Sequence, residues 1–365
     1  MSAAPAPRTI VARARLSAQG LLAAPGAGAT PASVVRHLGL VQAQDLAQAF
    51  WALGVRAPGT TASTVRAAFD AGTIVRTWAA RGTLMLAAPE LLDDVLAVTG
   101  PRMRAQTATG FRDAGIDADC IASLVPVAVG CCAGGATRGQ LLEAIRAAGQ
   151  DTTGQRGYHL LMALSLERAI VQGPMAGGGG VRQLFVPYRS WIGGTGNDGG
   201  DPVASLARLA LRYFTGHGPA TVADFAWWLG LPLGPVRAAL AVLETAGGLV
   251  QRRVGGIDYW VASAAATDLE DGTAGPGARS VLVLPGFDEF LLGYRDRGAS
   301  LPAEHARRVV PGGNGVFRRT VVHGGATIGT WDPAGSAEPF GSALGPGASR
   351  AFAARMRGYS HFWAR

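Results

Sequence analysis

Apolar residues recur along this chain with two different periods, and the change from one period to the other predicts its elements. Within residues 203–264, helical spacing predicts three helices between residues 205 and 243. Two segments with alternating apolar positions, GLVQRRV and DYWVA, follow on either side of Gly255 and Gly256 and predict a hairpin. The order helix, helix, helix, hairpin is that of a winged helix-turn-helix unit.

The same order of elements occurs twice earlier in the chain. In the second copy, two helices precede the hairpin strands AIVQGP and VRQLFVP, joined across residues 176–180. In the first copy, helices precede TIVRTWAARGTLMLAA, whose turn is predicted at residues 79–82. The sequence therefore predicts three tandem winged helix-turn-helix units, over residues 1–100, 101–191 and 203–264.

The last part of the chain, residues 277–365, has a different pattern. The segments SVLVLPGFDEFLLGY, GVFRRTVVHGG and ATIGTW alternate as strands, and SRAFAARMRGYSHFW has helical spacing. These segments predict a small β-barrel or curled sheet with a C-terminal helix. Glycine-rich linkers at 192–200 and 267–278 separate the predicted domains. The predicted fold class is α+β.

Residues 39–56, GLVQAQDLAQAFWALGVR, contain a helix with a well-marked start. Its apolar positions have the spacing of one helix face, and they are Leu46, Ala49, Phe50 and Leu53. Asp45 precedes this face, and Gln48 lies three residues later, as in a capping box. The helix is therefore predicted to begin directly after Asp45.

Gln42 and Gln44 precede that helix, in an extended segment where residues two apart point to the same side. Two amides beside the positive end of a helix can position water and a polar ligand, but an amide exchanges no proton near neutral pH. Such a site suits a reaction whose leaving group already carries positive charge. Hydrolysis of the N-glycosidic bond of an N-alkylated purine is one example. The alternative is that both glutamines are structural or solvated.

Composition narrows the class of partner. The 365 residues carry a formal net charge of +8 with a pI of about 10.2, and all 33 basic residues are arginine. Arginine binds phosphate with two parallel hydrogen bonds and stacks on bases. Nucleic acid is therefore the first expectation and an anionic membrane the second. The third predicted helix of the last winged unit carries only Arg237, which favours contacts with phosphates and groove shape over sequence-specific readout.

Other chemistry-bearing residues predict little further activity. Three cysteines without ligand spacing favour a reducing cytoplasm, and six scattered histidines predict no metal site. The sequence contains no run of 18 apolar residues and no signal-peptide pattern, so a soluble, unexported protein without a membrane partner is expected. Asp288 and Glu289 fall in a predicted strand and would face opposite sides, with Asp288 pairing with Arg295 or Arg297.

Four residues are candidate DNA contacts outside the glutamine pair. Arg81 and Thr83 lie at the first predicted hairpin turn, from which they can reach phosphate or a minor groove. Arg56 follows the predicted helix after Asp45 and can contact phosphate or neutralise the C-terminal dipole of that helix. His323 is beside the predicted turn at 324–325, which can enter a groove. The alternative for Arg81 is a solvated turn arginine.

Several segments together resemble the AlkZ-like family of bacterial DNA glycosylases: VQAQDLAQAFWALGVR, RTWAARGTLML, VLPGFDEFLLGYRDR and NGVF with GTW. The resemblance covers nearly the whole chain. It implies a C-shaped protein of three winged helices and a β-barrel, with a positively charged channel around duplex DNA. It also implies excision of N-alkylated purines and, in one branch, unhooking of interstrand crosslinks.

The Q-x-Q catalytic motif of the family falls on Gln42 and Gln44, whereas a sister branch has Asp at the second position. This chain departs from many relatives at Met85, where they have His, and at Ala43, where a bulkier aliphatic residue is frequent. Any polar role at position 85 is therefore in doubt here.

The function predicted from these observations is that of a monomeric, cofactor-free DNA glycosylase. Its partner would be double-stranded DNA with alkylated or crosslinked purines. The protein would lie in the cytoplasm, associated with the nucleoid. Gln42 and Gln44 would be catalytic, and arginines would hold the DNA. The alternative is a non-catalytic winged-helix protein, either a regulator or a resistance protein that sequesters a lesion or drug. A module that binds an anionic ligand is a third possibility.

Overall fold

The computed structural model describes residues 5–22, 28–193, 201–265, 277–313 and 315–364. The chain divides into two compact units, which we refer to as unit 1 (Met1–Val65 with Ala207–Arg365) and unit 2 (Arg66–Leu206). Residues 194–200 and 266–276, which hold most of the two predicted linkers, lie outside the described residues. The boundaries of the four predicted domains stay predictions.

The helices in the first part of unit 1 and in the third predicted copy follow the apolar spacing of the sequence. The Val222–Leu229 helix shows why the boundaries were predictable, since Thr221 and Asp224 form a capping box at its start. The helices that lie wholly or partly in unit 1 before residue 250 are Pro7–Ala18, Pro31–Leu38, Leu46–Arg56, Ala62–Asp70, Pro202–His217, Val222–Leu229 and Leu233–Thr245.

The predicted hairpin of the third copy is confirmed. Strands Leu249–Val254 and Ile257–Ala262 pair antiparallel from Leu249↔Ala262 to Val254↔Ile257. Gly255 and Gly256 form the turn with φ of 58° and 82°, a backbone conformation that glycine adopts without steric cost.

The predicted β-barrel is wrong for the described residues, which instead form an open antiparallel sheet of four strands at the C-terminal end of unit 1. Its order is Ala337–Pro339, Ala326–Trp331, Thr320–His323 and Val281–Leu284. The alternating segment 281–294 is not one long strand. It is a four-residue strand, a turn through Phe287 at φ 62°, and a short helix, Glu289–Leu292, capped by Asp288. The sheet therefore has too few long strands to close.

The C-terminal helix, Pro346–Trp363, covers this sheet and the Leu46–Arg56 helix. Phe362 is 2% exposed and lies against Gly54, where a Cβ atom would come within 2.5 Å of the ring. Trp51 makes edge contacts with Tyr359 and Phe362. Aromatic packing thus fixes the helix that begins at Asp45. The other helical segments among the described residues of unit 1 are short: Ser263–Ala265, Ala303–His305, Ala306–Val309 and Pro311–Gly313.

Unit 2 joins the first two predicted hairpins in one sheet. Arg76 of the first hairpin lies opposite Gln172 of the second, and a Gly82 N–H to Ala79 carbonyl bond closes the first turn where it was predicted. In spatial order, the strands that unit 2 contributes to this sheet are Thr83–Ala87, Val75–Ala79, Ile170–Met175 and Gln183–Pro187. The helices that follow residue 88 are Pro89–Asp113, Ala118–Cys132, Arg138–Ala147, Gly154–Leu166 and Tyr188–Ile192.

The Pro89–Asp113 helix has 25 residues. Across the described ranges, no single helix has both the length and the apolar composition to cross a membrane. This helix and Ala118–Cys132 meet those criteria only together, and they are bent by 99° from one another.

Candidate active site

Gln42 and Gln44 lie ahead of the helix, as the sequence predicts. Gln42 ends the short strand Leu40–Gln42, and Asp45 is the N-cap of the Leu46–Arg56 helix. Gln42 is 6% exposed, whereas Gln44 is exposed. The backbone N–H of Gln44 donates to Oε1 of Gln42 over 3.2 Å. This bond fixes the orientation of the buried amide and sets its oxygen at the helix N-terminus.

The helix cap beside this pair, Asp45, accepts two hydrogen bonds. The Asp45 carboxylate accepts from the backbone N–H of Gln48 at 3.2 Å and from its side-chain Nε2 at 3.0 Å. Gln48 thus reaches back to the carboxylate, not to the backbone N–H of the cap. Its Oε1 accepts from the N–H of Gly286. The first turn of the helix is therefore tied to the turn that precedes Glu289.

Glu289 holds the motif from behind. This residue is 1% exposed, and its Oε1 accepts from the backbone N–H of Gln42 at 3.1 Å. Its Oε2 accepts from Nε1 of Trp228 at 3.1 Å and lies 3.3 Å from Nε2 of His217. The predicted strand at 288–289 is wrong, because a capped helical turn here directs Glu289 toward Gln42. The buried Glu289 carboxylate thereby holds the backbone of Gln42, a candidate catalytic residue, in place.

Burial favours the neutral form of His217. Burial lowers the pKa of the imidazole; the hydrogen bond and charge of Glu289 oppose the shift, and the charges of Arg56 and His37 add to it. With Nε2 donating to Glu289, Nδ1 is an acceptor, and it has no hydrogen-bond partner among the described residues. Its ring stacks on Tyr213 with centroids 4.6 Å apart. The Glu289 carboxylate is therefore held by the Gln42 N–H, by Trp228 and by His217.

Arg56 is a structural residue. Its guanidinium makes two parallel 2.8 Å bonds to the Asp288 carboxylate and donates to the backbone oxygens of Gln19 and Ala52. Since Arg56 is 2% exposed and Asp288 3% exposed, this pair is buried. The geometry does not support the predicted DNA contact of Arg56. Asp288 is paired with Arg56, not with Arg295 or Arg297 as predicted.

Of the other three candidate DNA contacts, two lie in unit 2 and one lies in unit 1. Arg81 and Thr83 are half-buried at the first hairpin of unit 2, and the Thr83 hydroxyl donates to Sδ of Met85 at 3.4 Å. His323 is exposed in unit 1. The turn after it is covered, because a Cβ atom at Gly325 would lie 2.9 Å from Ala12. That hairpin tip is therefore packed on the N-terminal helix and is not presented to a groove.

The arrangement contains acceptors but few groups able to transfer protons. Both carboxylates bonded to the motif segment are engaged, Asp45 by Gln48 and Glu289 by Gln42 and Trp228. Within the residues that the structure describes, no group of three or more His, Cys, Asp and Glu side chains could hold a metal ion. The groups presented at the helix start are amides, the hydrogen-bonded Asp45 carboxylate and the partial positive charge of the first turn.

Comparison with known proteins places the chain in a family. The sequence model of a family described as DNA glycosylase AlkZ-like matches residues 35–359. The chain belongs to the AlkZ-like DNA glycosylase family. It is therefore an enzyme, a DNA glycosylase, and DNA is its substrate. The family predicted from the sequence motifs is confirmed, and Gln42 and Gln44 both lie within the matched residues.

Similarity to a solved structure concerns the fold. The structure of the Streptomyces sahachiroi DNA glycosylase AlkZ superposes with a TM-score of 0.81, covering 98% of this chain and 97% of that one. The two sequences are 23% identical. No curated protein matches the chain.

Sequence reasoning did not predict the residues that anchor the motif. Glu289 lies 247 residues from Gln42, and Trp228 and His217 lie 61 and 72 residues from Glu289. No short-range spacing connects such positions. The available signal was the mixture of acidic residues and apolar residues in LPGFDEFLLGY, which indicated buried carboxylates but not their partners.

Proposed function

We propose that this glycosylase hydrolyses the N-glycosidic bond of N-alkylated purines, including bulky adducts and interstrand crosslinks. Gln42 and Gln44 would be the catalytic residues. The observation that carries the proposal is the fixed amide of Gln42 at a helix start, beside the exposed Gln44 and with the neighbouring carboxylates already bonded.

The chemistry fits this donor set. Alkylation gives the purine a positive charge, so the electron pair of the breaking C1′–N bond leaves with a base that becomes neutral. No general acid is required for that departure. The amide oxygens of Gln42 and Gln44 would stabilise the oxocarbenium ion and orient the water whose oxygen bonds to C1′. The proton of that water passes to solvent.

Rigidity supports the role of Gln42 in particular. Its amide oxygen is held by the Gln44 N–H and its backbone by Glu289, so the acceptor is placed before substrate binds. Preorganised dipoles stabilise developing charge without the cost of reorienting during the reaction. Gln44 is exposed and thus able to meet substrate or water.

The proposed setting is double-stranded DNA in the cytoplasm, bound by a monomer. A net charge of +8 carried by arginine supplies attraction to phosphates. The tandem winged-helix organisation predicted from the sequence would distribute those contacts over the chain.

Single-turnover release of base from duplex DNA tests the proposal. The substrates contain N7-methylguanine or a crosslinked purine, and the wild type is compared with Gln42→Ala/Gln44→Ala. Gln251→Ala, at an exposed strand position, is the matched control. Loss of release with retained DNA affinity, in the double variant only, is expected. Full release by the double variant would remove both residues from catalysis, and no release by wild type would overturn the proposed lesion class.

A further inference from the structure

Unit 2 contains a cleft of about 900 Å³ that the glutamine motif does not use. It is bordered by both hairpins of the unit and by the first turn of the Arg138–Ala147 helix. Clefts of about 300–1,000 Å³ are typical of small-molecule sites. Its size therefore suits a nucleotide.

The charge of the cleft is uniformly positive. Arg76, Arg138 and Arg182 line it, and none of the described lining residues is acidic. Arg76 is held in place by a 2.8 Å bond to Oε1 of the buried Gln172. Arg138 and Arg182 are exposed, and neither makes an ion pair within the described ranges. Guanidinium groups without carboxylate partners are suited to phosphate.

The helix start adds further donors. Residues 137–139 line the cleft, and the capping box of this helix uses the N–H groups of Thr137 and Gln140. The N–H groups of Arg138 and Gly139 belong to the set that no helical carbonyl can satisfy. An arginine at this end of a helix is repelled by the helix dipole, and a bound anion offsets that repulsion.

A buried amide in the same cleft indicates a ligand with a donor group. Gln183 is 9% exposed, and its Nε2 donates to the Gly173 carbonyl at 3.0 Å. Its Oε1 has no hydrogen-bond partner in the described structure. Tyr158 is half-buried and also lines the cleft, and its hydroxyl accepts a 2.8 Å hydrogen bond from the indole N–H of the buried Trp78. An exocyclic amine of a base would satisfy the amide oxygen, and aromatic side chains favour planar bases.

We infer that this cleft is a nucleotide-binding site, with phosphate at Arg138, Arg182 and the helix start, and the base toward Tyr158 and Gln183. The same chemistry is offered by a free nucleotide and by a nucleotide within a DNA strand. The site is formed by unit 2 alone and does not depend on the proposed catalytic role of Gln42 and Gln44.

Binding of fluorescently labelled dGMP to the full-length protein, followed by anisotropy, tests the inference. Arg138→Gln/Arg182→Gln is compared with Arg102→Gln/Arg189→Gln, which removes the same charge from exposed positions of unit 2 outside the cleft. Thermal unfolding confirms that both variants fold. The cleft variant is expected to bind at least ~10-fold more weakly, and the control within ~2-fold of wild type.

Competitors separate the sources of the ligand. Unlabelled dGMP should displace the probe, inorganic phosphate should do so more weakly, and deoxyguanosine should not. If only a single-stranded oligonucleotide binds, with the same difference between the two variants, the site takes a nucleotide within a strand. Equal weakening by both variants would overturn the inference. So would displacement by deoxyguanosine as effective as by dGMP, or binding of neither nucleotide nor oligonucleotide to the wild type.

Discussion

Glu289 offers the sharpest test of how the fold supports the motif. The carboxylate accepts from the Gln42 backbone and from Trp228, each at 3.1 Å, and is 1% exposed. Nε2 of His217 is a third donor, so Glu289→Ala would leave three donors buried without this partner. At about 1–3 kcal/mol for each unsatisfied donor, the free energy of unfolding should fall by about 3–9 kcal/mol. Glu289→Gln keeps one acceptor oxygen, so this variant should lose only about 1–3 kcal/mol of the free energy of unfolding.

The catalytic effect should exceed the effect on DNA binding. Without its anchor, Gln42 would shift, and displacement of a catalytic group by about 1 Å can lower a rate by about 100-fold. We therefore expect Glu289→Gln to release base at least ~10-fold more slowly while binding DNA within ~2-fold of wild type.

The assay is single-turnover base release at saturating enzyme, with DNA affinity by anisotropy and stability by urea unfolding. Glu244→Gln makes the same chemical change at an exposed position and is the control. A Glu289→Gln variant that unfolds like wild type and releases base at the wild-type rate would refute the anchoring argument. A parallel loss of rate and DNA affinity would mean that Glu289 only maintains the fold.

Three further outcomes follow from buried groups. Asp288→Ala should lower the free energy of unfolding by about 3–5 kcal/mol, because Arg56 is left charged and buried. Urea unfolding should show that adding Arg56→Met recovers part of this loss. If the losses of the two single variants simply add in the double variant, the pairing is contradicted. Gly216→Ala should destabilise the protein by about 1–3 kcal/mol, since its Cβ atom would lie 2.6 Å from a backbone oxygen. Gly130→Ala, whose Cβ atom would lie in open space, should stabilise it by about 0.5–1 kcal/mol. Equal shifts of the thermal unfolding midpoint in the two variants would refute this. The pKa of His217 is lower in the folded than in the unfolded state, so the unfolded state binds more protons in acid. The free energy of unfolding should therefore decline as the pH falls below about 6.5. A His217→Gln variant with the same decline between pH 7.5 and 5.5 would contradict this.

Features that depend on short-range interactions could be predicted from the sequence alone. The start of the helix after Asp45 was predictable because its cap bonds to Gln48, three residues away. The turn at Gly255 and Gly256 was predictable for a similar reason, since a two-residue turn with positive φ favours glycine. The placement of Gln42 and Gln44 ahead of a helix followed from the same short-range rules.

The segment around Asp288 was misread because alternation of apolar residues does not distinguish a strand from a buried turn and a short helix. Asp288 caps the Glu289–Leu292 helix through the Phe290 N–H, a local bond that its apolar neighbours concealed. Its principal partner, Arg56, lies 232 residues away. This segment was also one of the three from which a β-barrel or curled sheet was predicted.

The sequence by itself determined several of the helices, the hairpin turns, the family and the candidate pair Gln42 and Gln44, because these depend on interactions within a few residues or on recognisable segments. Only the tertiary structure decided that Glu289 anchors Gln42 and that Arg56 is buried with Asp288. The physical reason is that a buried carboxylate requires donors from wherever the packed chain supplies them. Here those donors come from elements far apart in the sequence, so packing alone selects them.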